Sequence, residues 1–140
     1  MKTTTIIIIT VLAVFFTNSV KSQSVQEDFE KGIKYLDQKE YPQAIQIFDS
    51  VIKAEPEFAR AFLMRGISKL CNEEYFGAIE DFDKAIELEP DNYKSYLFRS
   101  MANEKVGDLK GAVMDKEKVE ELLERANNEN KDNLKLRQVS

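Results

Sequence analysis

The side chains of this sequence that could do chemistry are mostly carboxylates. Glu73-Glu74, Glu80-Asp81, Asp83, Glu87 and Glu89 crowd into one stretch. Two acids facing across a pocket, one with a raised pKa, would serve hydrolysis of a glycosidic bond. Here they alternate with apolar residues at helical spacing, which makes them the solvated side of a helix rather than a facing pair. Asp81-x-Asp83 opens like a calcium loop, but it falls inside that same helix. The rest of the catalytic inventory is missing. The chain has no histidine and one cysteine, Cys71, which removes Ser-His-Asp and Cys-His pairs, an imidazole base and the usual Cys/His zinc site. Gly32, Gly66, Gly77, Gly107 and Gly111 form neither of the glycine-rich phosphate loops. The reading is of no enzyme, no cofactor and no metal. With 20 basic against 25 acidic residues and a net charge of −5, a nucleic-acid partner is disfavoured too, because phosphate binding needs a basic footprint.

What must position any binding residues is an internal repeat. At one fixed offset Gly32 recurs as Gly66, Tyr41 as Tyr75, Ala44 as Ala78 and Ala112, Phe48 as Phe82, and Pro56 as Pro90. The units are 25–58, 59–92 and 93–126, and a constant period of this size means a stack of supersecondary units. Within each unit the apolar spacing is helical and turn signals fall twice. Phe62, Leu63, Gly66, Ile67 and Leu70 form one row, and Tyr75, Ala78, Ile79, Phe82, Ala85 and Ile86 form the next. Each unit is therefore a helical hairpin, closed by Pro56 or Pro90. Glycine inside a helix costs about 1 kcal/mol against alanine, so Gly32 and Gly66 predict a close helix approach, with Phe48 and Phe82 filling the seam.

These residues resemble the tetratricopeptide repeat, and Gly77 to Asn92 is similar to the second helix and exit turn of bacterial members. The resemblance implies an all-α fold: three helical hairpins stacked as a short right-handed α-solenoid. One departure is that the family's usual Leu in the first helix is replaced by Lys31, Arg65 and Arg99. The third unit departs further. Ser100 stands for glycine, Lys116 for the seam aromatic and Glu124 for the exit proline. This unit reads as a diverged cap whose last helix runs to about Asn127, and 127–140 reads as a polar tail without regular structure.

Such stacks generally bind partners on the side lined by the first helix of each hairpin. Helical spacing puts Gln26, Glu30 and Asp37 there in the first unit, Arg60, Met64 and Cys71 in the second, and Lys94, Phe98 and Lys105 in the third, bordered by Met101. The candidate partner-binding residues are Arg60, Met64, Lys94, Phe98 and Met101, with Met64 and Phe98 as apolar anchors beside two cations. That chemistry suits a peptide with an apolar anchor and an acidic flank. Family members that hold the acidic C-terminus of heat-shock chaperones resemble one another in basic and Asn side chains at positions occupied here by Phe29, Ile33, Met64, Lys94 and Phe98. Only Lys94 fits, so that clamp is absent.

Residues 1–22 carry Lys2, an apolar run from Ile6 to Phe16 and a polar, small-residue end. This is the layout of a secretory signal peptide, and the run is short for a membrane span. Its removal takes away two lysines and no acid, moving the net charge from −5 to −7. The expected destination is the periplasm or the exterior, where the unpaired Cys71 would be either buried or tolerated, or else available for an intermolecular bond. Two functions follow from this reading. One is a non-catalytic adaptor or scaffold holding a protein or peptide in its groove, with no nucleic acid and no stable membrane span. The other is a self-associating structural module, a homodimer stacked through Phe29, Ile33 and Leu36 of its first helix.

Overall fold

The computed structural model describes residues 24–139, with side chains described to residue 131. Residues 1–22, the expected signal peptide, lie outside the described part. The described residues form six helices: α1 over 24–37, α2 Tyr41–Ala54, α3 Ala59–Cys71, α4 Tyr75–Leu88, α5 Tyr93–Val106 and α6 Leu109–Val139. The second helices of the three hairpins begin at Tyr41, Tyr75 and Leu109, equally spaced and in step with the repeat. Each hairpin packs on the next, α2 against α3 and α4 against α5, so the architecture is an α-solenoid of three hairpins.

The turn inside each hairpin is made the same way. Lys39, Glu73 and Gly107 all take positive φ, at 62°, 64° and 85°. The third turn uses the residue for which that conformation is free of Cβ strain. The first two hold a left-handed backbone with a full side chain, against a local cost of about 1–2 kcal/mol. Helix starts differ as well. Asn92 caps α5 by accepting the Lys94 N–H, and Asp108 accepts the Gly111 N–H at 2.9 Å. Neither Glu40 nor Glu74 makes a side-chain cap on the helix that follows it.

Two apolar clusters hold the stack. Val25, Phe29, Ala44, Phe48, Val51 and Ala61 make the first; Phe62, Leu63, Ala78, Phe82, Ala85 and Ala102 make the second, with Ile52 and Met64 packed against both. The seam glycines are explained by contact. A Cβ on Gly32 would lie 2.6 Å from Phe48 Cε1, and one on Gly66 2.6 Å from Phe82 Cε1. In the third hairpin both partners change together. Lys116 replaces the ring and reaches out to Glu104, while the fully buried Ser100 takes the glycine's place, its Oγ donating to the Leu97 carbonyl at 2.7 Å.

The row expected to stack on a second copy is used largely within the chain: Phe29 is completely buried under Phe48 and Phe58, and Ile33 and Leu36 are half-buried against the same cluster. One expectation is corrected. The polar tail is helical: α6 runs unbroken to Val139, because nothing after Gly111 is a Pro or Gly and Glu, Lys, Leu and Arg are good helix formers. Of the fates considered for Cys71, burial does not hold: the thiol is exposed at the end of α3.

Candidate partner-binding groove

The first helices of the second and third hairpins, α3 and α5, lie against each other. Met64 and Phe98 each pack against the second cluster. Both are half-buried, and Phe98 stacks on Phe82 with ring centroids 6.2 Å apart. They are thus the floor of the face rather than free anchors. Arg60 and Lys94 are exposed, each in the first turn of its helix. The Arg60 guanidinium sits over the Phe29 ring, 5.0 Å from its centroid, which ties it to the wall formed by α1. Met101, one helical turn beyond Phe98, is 44% exposed. On α1 the wall is acidic: Glu30 and Asp37 are exposed, and Gln26 Nε2 donates to Glu30 Oε1 at 2.8 Å. Among the described residues no group of His, Cys, Asp and Glu is placed to hold a metal ion, and no helix is long and apolar enough to cross a membrane.

Sequence reasoning missed a second set of residues, which joins the hairpins. Arg65 Nε and Nη2 donate to Asp81 at 2.9 and 2.5 Å, and Nη1 reaches back to Asp49 of the preceding hairpin at 2.6 Å. Lys69 adds a contact to Asp81 at 2.9 Å. One repeat later Arg99 does the same, to Asp115 at 2.9 and 2.6 Å and to Asp83 at 2.5 Å. Each arginine also lies over an aromatic ring one helical turn earlier, Arg65 over Phe62 and Arg99 over Tyr96. Burial opposes the charge on Arg65, but its bonds to Asp81 and Asp49 outweigh it and raise the pKa. For Arg99 the bond to Asp115 leads, and the pKa is again raised. The arginines that displace the family's usual Leu are thus clamps across each junction. Asp81, expected on a solvated face, is only 3% exposed. The findable signal was the joint recurrence, one repeat apart, of Asp49 with Asp83, Arg65 with Arg99 and Asp81 with Asp115.

No family model and no curated protein matches this sequence. Solved structures do. MamA from Desulfovibrio magneticus RS-1 superposes with a TM-score of 0.67 at 31% identity over 71% of this chain, which spans 55% of that one. The TPR2B domain of yeast Sti1, in a complex with pHsp70, superposes at 0.71 with 25% identity, covering 74% of this chain and 83% of that one. The second TPR of Spaghetti (RPAP3), bound to the HSP90 peptide SRMEEVD, superposes at 0.69 with 26% identity, covering 70% and 91%. The repeat period and the stacked hairpins that match these domains make this chain a tetratricopeptide-repeat protein.

Proposed function

We propose that this chain is an exported, non-catalytic interaction module that holds a protein or peptide segment across α3 and α5. The observation that carries the proposal is the pairing of a half-buried apolar floor, Met64 and Phe98, with two exposed cations, Arg60 and Lys94, at the starts of adjacent helices. An apolar side chain on the floor and carboxylates beside the cations would complement this face. The complexes of the Sti1 and RPAP3 domains support a groove-binding role in general. That support does not extend to their ligands: Phe29 and Phe98 stand where a carboxylate clamp needs donors, and both are used in packing. The absence of histidine from the sequence supports a non-catalytic role. Export rests on residues 1–22, and the periplasm or the exterior is the proposed location.

The test is fluorescence anisotropy with a set of labelled peptides, each holding one Leu or Phe flanked by Glu or by Lys. The acidic-flanked members should bind, and Lys94→Glu, exposed and outside the core, should abolish that binding without changing the fold. Equal binding of the Lys-flanked set would refute the proposal.

A further inference from the structure

The first helices of the three hairpins carry different charges on the groove side. Matching positions one repeat apart stand on the same side of their helices: Glu30 with Met64 and Phe98, Asp37 with Cys71 and Lys105, and Arg60 with Lys94. The charged members of these sets are all exposed, and no ion pair among the described residues engages any of them. Glu104, the acid next to Lys105, is already held by Lys116. The face therefore runs from two acids on α1, through Arg60 and the apolar floor, to two cations on α5. The exposed lysines of α1 do not break this order. Lys31 and Lys34 match Arg65 and Ala102, which face the preceding hairpin: Arg65 reaches Asp49 there, and Ala102 packs in the second cluster. On α1 that side has no hairpin before it among the described residues.

Three of the groove charges sit where their own helices disfavour them. A helix carries partial positive charge at its N-terminus and partial negative charge at its C-terminus. Arg60 and Lys94 lie in the first turns of α3 and α5, and neither turn holds an acid. Asp37 is the last residue of α1. Arg60 leans on the Phe29 ring, but neither Lys94 nor Asp37 has an ion-pair partner among the described residues. Charges that oppose their helix and lack a counter-charge in the fold serve something outside it.

Packed helices lie about 8–10 Å apart, so the face spans roughly 20 Å from α1 to α5. An extended chain crosses that distance in about six residues, at ~3.3 Å each. A residue seated in the middle thus has another about three positions away over each wall.

We propose that the groove selects a bipolar segment: a basic residue over Glu30 and Asp37, an apolar residue on Met64 and Phe98, and an acidic residue towards Lys94 and Lys105. The proposal rests on the groove reading above and narrows it, because a uniformly acidic segment would set one of its carboxylates against α1.

Fluorescence anisotropy of the full chain with three labelled peptides tests this: Lys-x-x-Leu-x-x-Glu, its reverse Glu-x-x-Leu-x-x-Lys, and Glu-x-x-Leu-x-x-Glu, where x is Ser. One of the two bipolar orders should bind about 10-fold tighter than the all-acidic peptide at low salt, and the advantage should shrink as salt is added. Glu30→Lys combined with Asp37→Lys should invert the preference. The thermal midpoint of that variant should hold or rise, since a cation suits the C-terminal end of α1. An all-acidic peptide that binds the wild-type chain as tightly as either bipolar one, or a preference unmoved by the double change, would overturn the selection and leave the groove standing. If none of the three peptides binds, the groove reading falls and the selection falls with it.

Discussion

Two glycine-to-alanine substitutions, alike in sequence terms, should move stability in opposite directions. Gly66 lies in the middle of α3 with Phe82 Cε1 2.6 Å from where a Cβ would stand. Ordinary carbon contacts lie near ~3.5–4.0 Å, so the ring would have to retreat by about 1 Å. It has nowhere to go, because Phe82 is fully buried and Phe98 stacks on it. Overpacking of this kind costs about 1–3 kcal/mol, against a helix-propensity gain of up to about 1 kcal/mol. Gly66→Ala should therefore destabilise by about 1 kcal/mol net. Gly77 in α4 would place its Cβ 3.4 Å from Cδ of Lys69, a flexible side chain that can yield. Gly77→Ala should stabilise by about 0.5–1 kcal/mol. The two should differ in thermal midpoint by roughly 10 °C, at ~4–8 °C per kcal/mol for a domain near this size. Circular dichroism melts check this, with Phe82→Leu as a second background in which Gly66→Ala should lose its penalty. Equal rises in midpoint for both alanines would refute the close approach on which the seam is argued.

Further outcomes can be read by the same melts. Glu73→Gly should stabilise by about 1 kcal/mol, because Glu73 holds φ at 64° and glycine takes that conformation without Cβ strain. Ser95→Ala should stabilise by about 1 kcal/mol, since the Ser95 hydroxyl is buried with no hydrogen-bond partner and its equivalent in the second hairpin is Ala61. Asp81→Asn should cost about 2–3 kcal/mol by leaving Arg65 and Lys69 short of a buried counter-charge. Glu87→Gln, which breaks only the exposed pair with Lys84, should cost less than about 0.5 kcal/mol.

Much of this fold was legible because a solenoid repeats its reasons. The periodic recurrence of Gly, Ala, Phe and Pro marked the first two hairpins, Ala112 carried the period into the third, and the Gly66–Phe82 contact is the close approach that a mid-helix glycine predicts. The left-handed turns were hidden because Lys39 and Glu73 are not the residues that such a conformation favours; only Gly107 announces it. The arginine clamps were hidden for a different reason. Each joins side chains from three helices, well separated along the chain, so Arg65 read as a departure from the family pattern and Asp81 as surface. Helical spacing also put Met64 and Phe98 at matching positions of α3 and α5, but it could not tell that Phe98 stacks on Phe82 and is half-buried there. The length of α6 was missed because a polar run reads as a tail when packing is the expected source of helix stability; here the absence of any breaker lets the helix continue.

The central claim is that α3 and α5 present a face that takes an apolar residue with an acidic flank, and amide chemical-shift mapping with one acidic-flanked Leu peptide tests it most directly. The predicted result is a set of shifts confined to the surroundings of Arg60, Met64, Lys94 and Phe98, lost in Lys94→Glu. Shifts centred instead on α2, α4 or α6, or unchanged by Lys94→Glu, would contradict it.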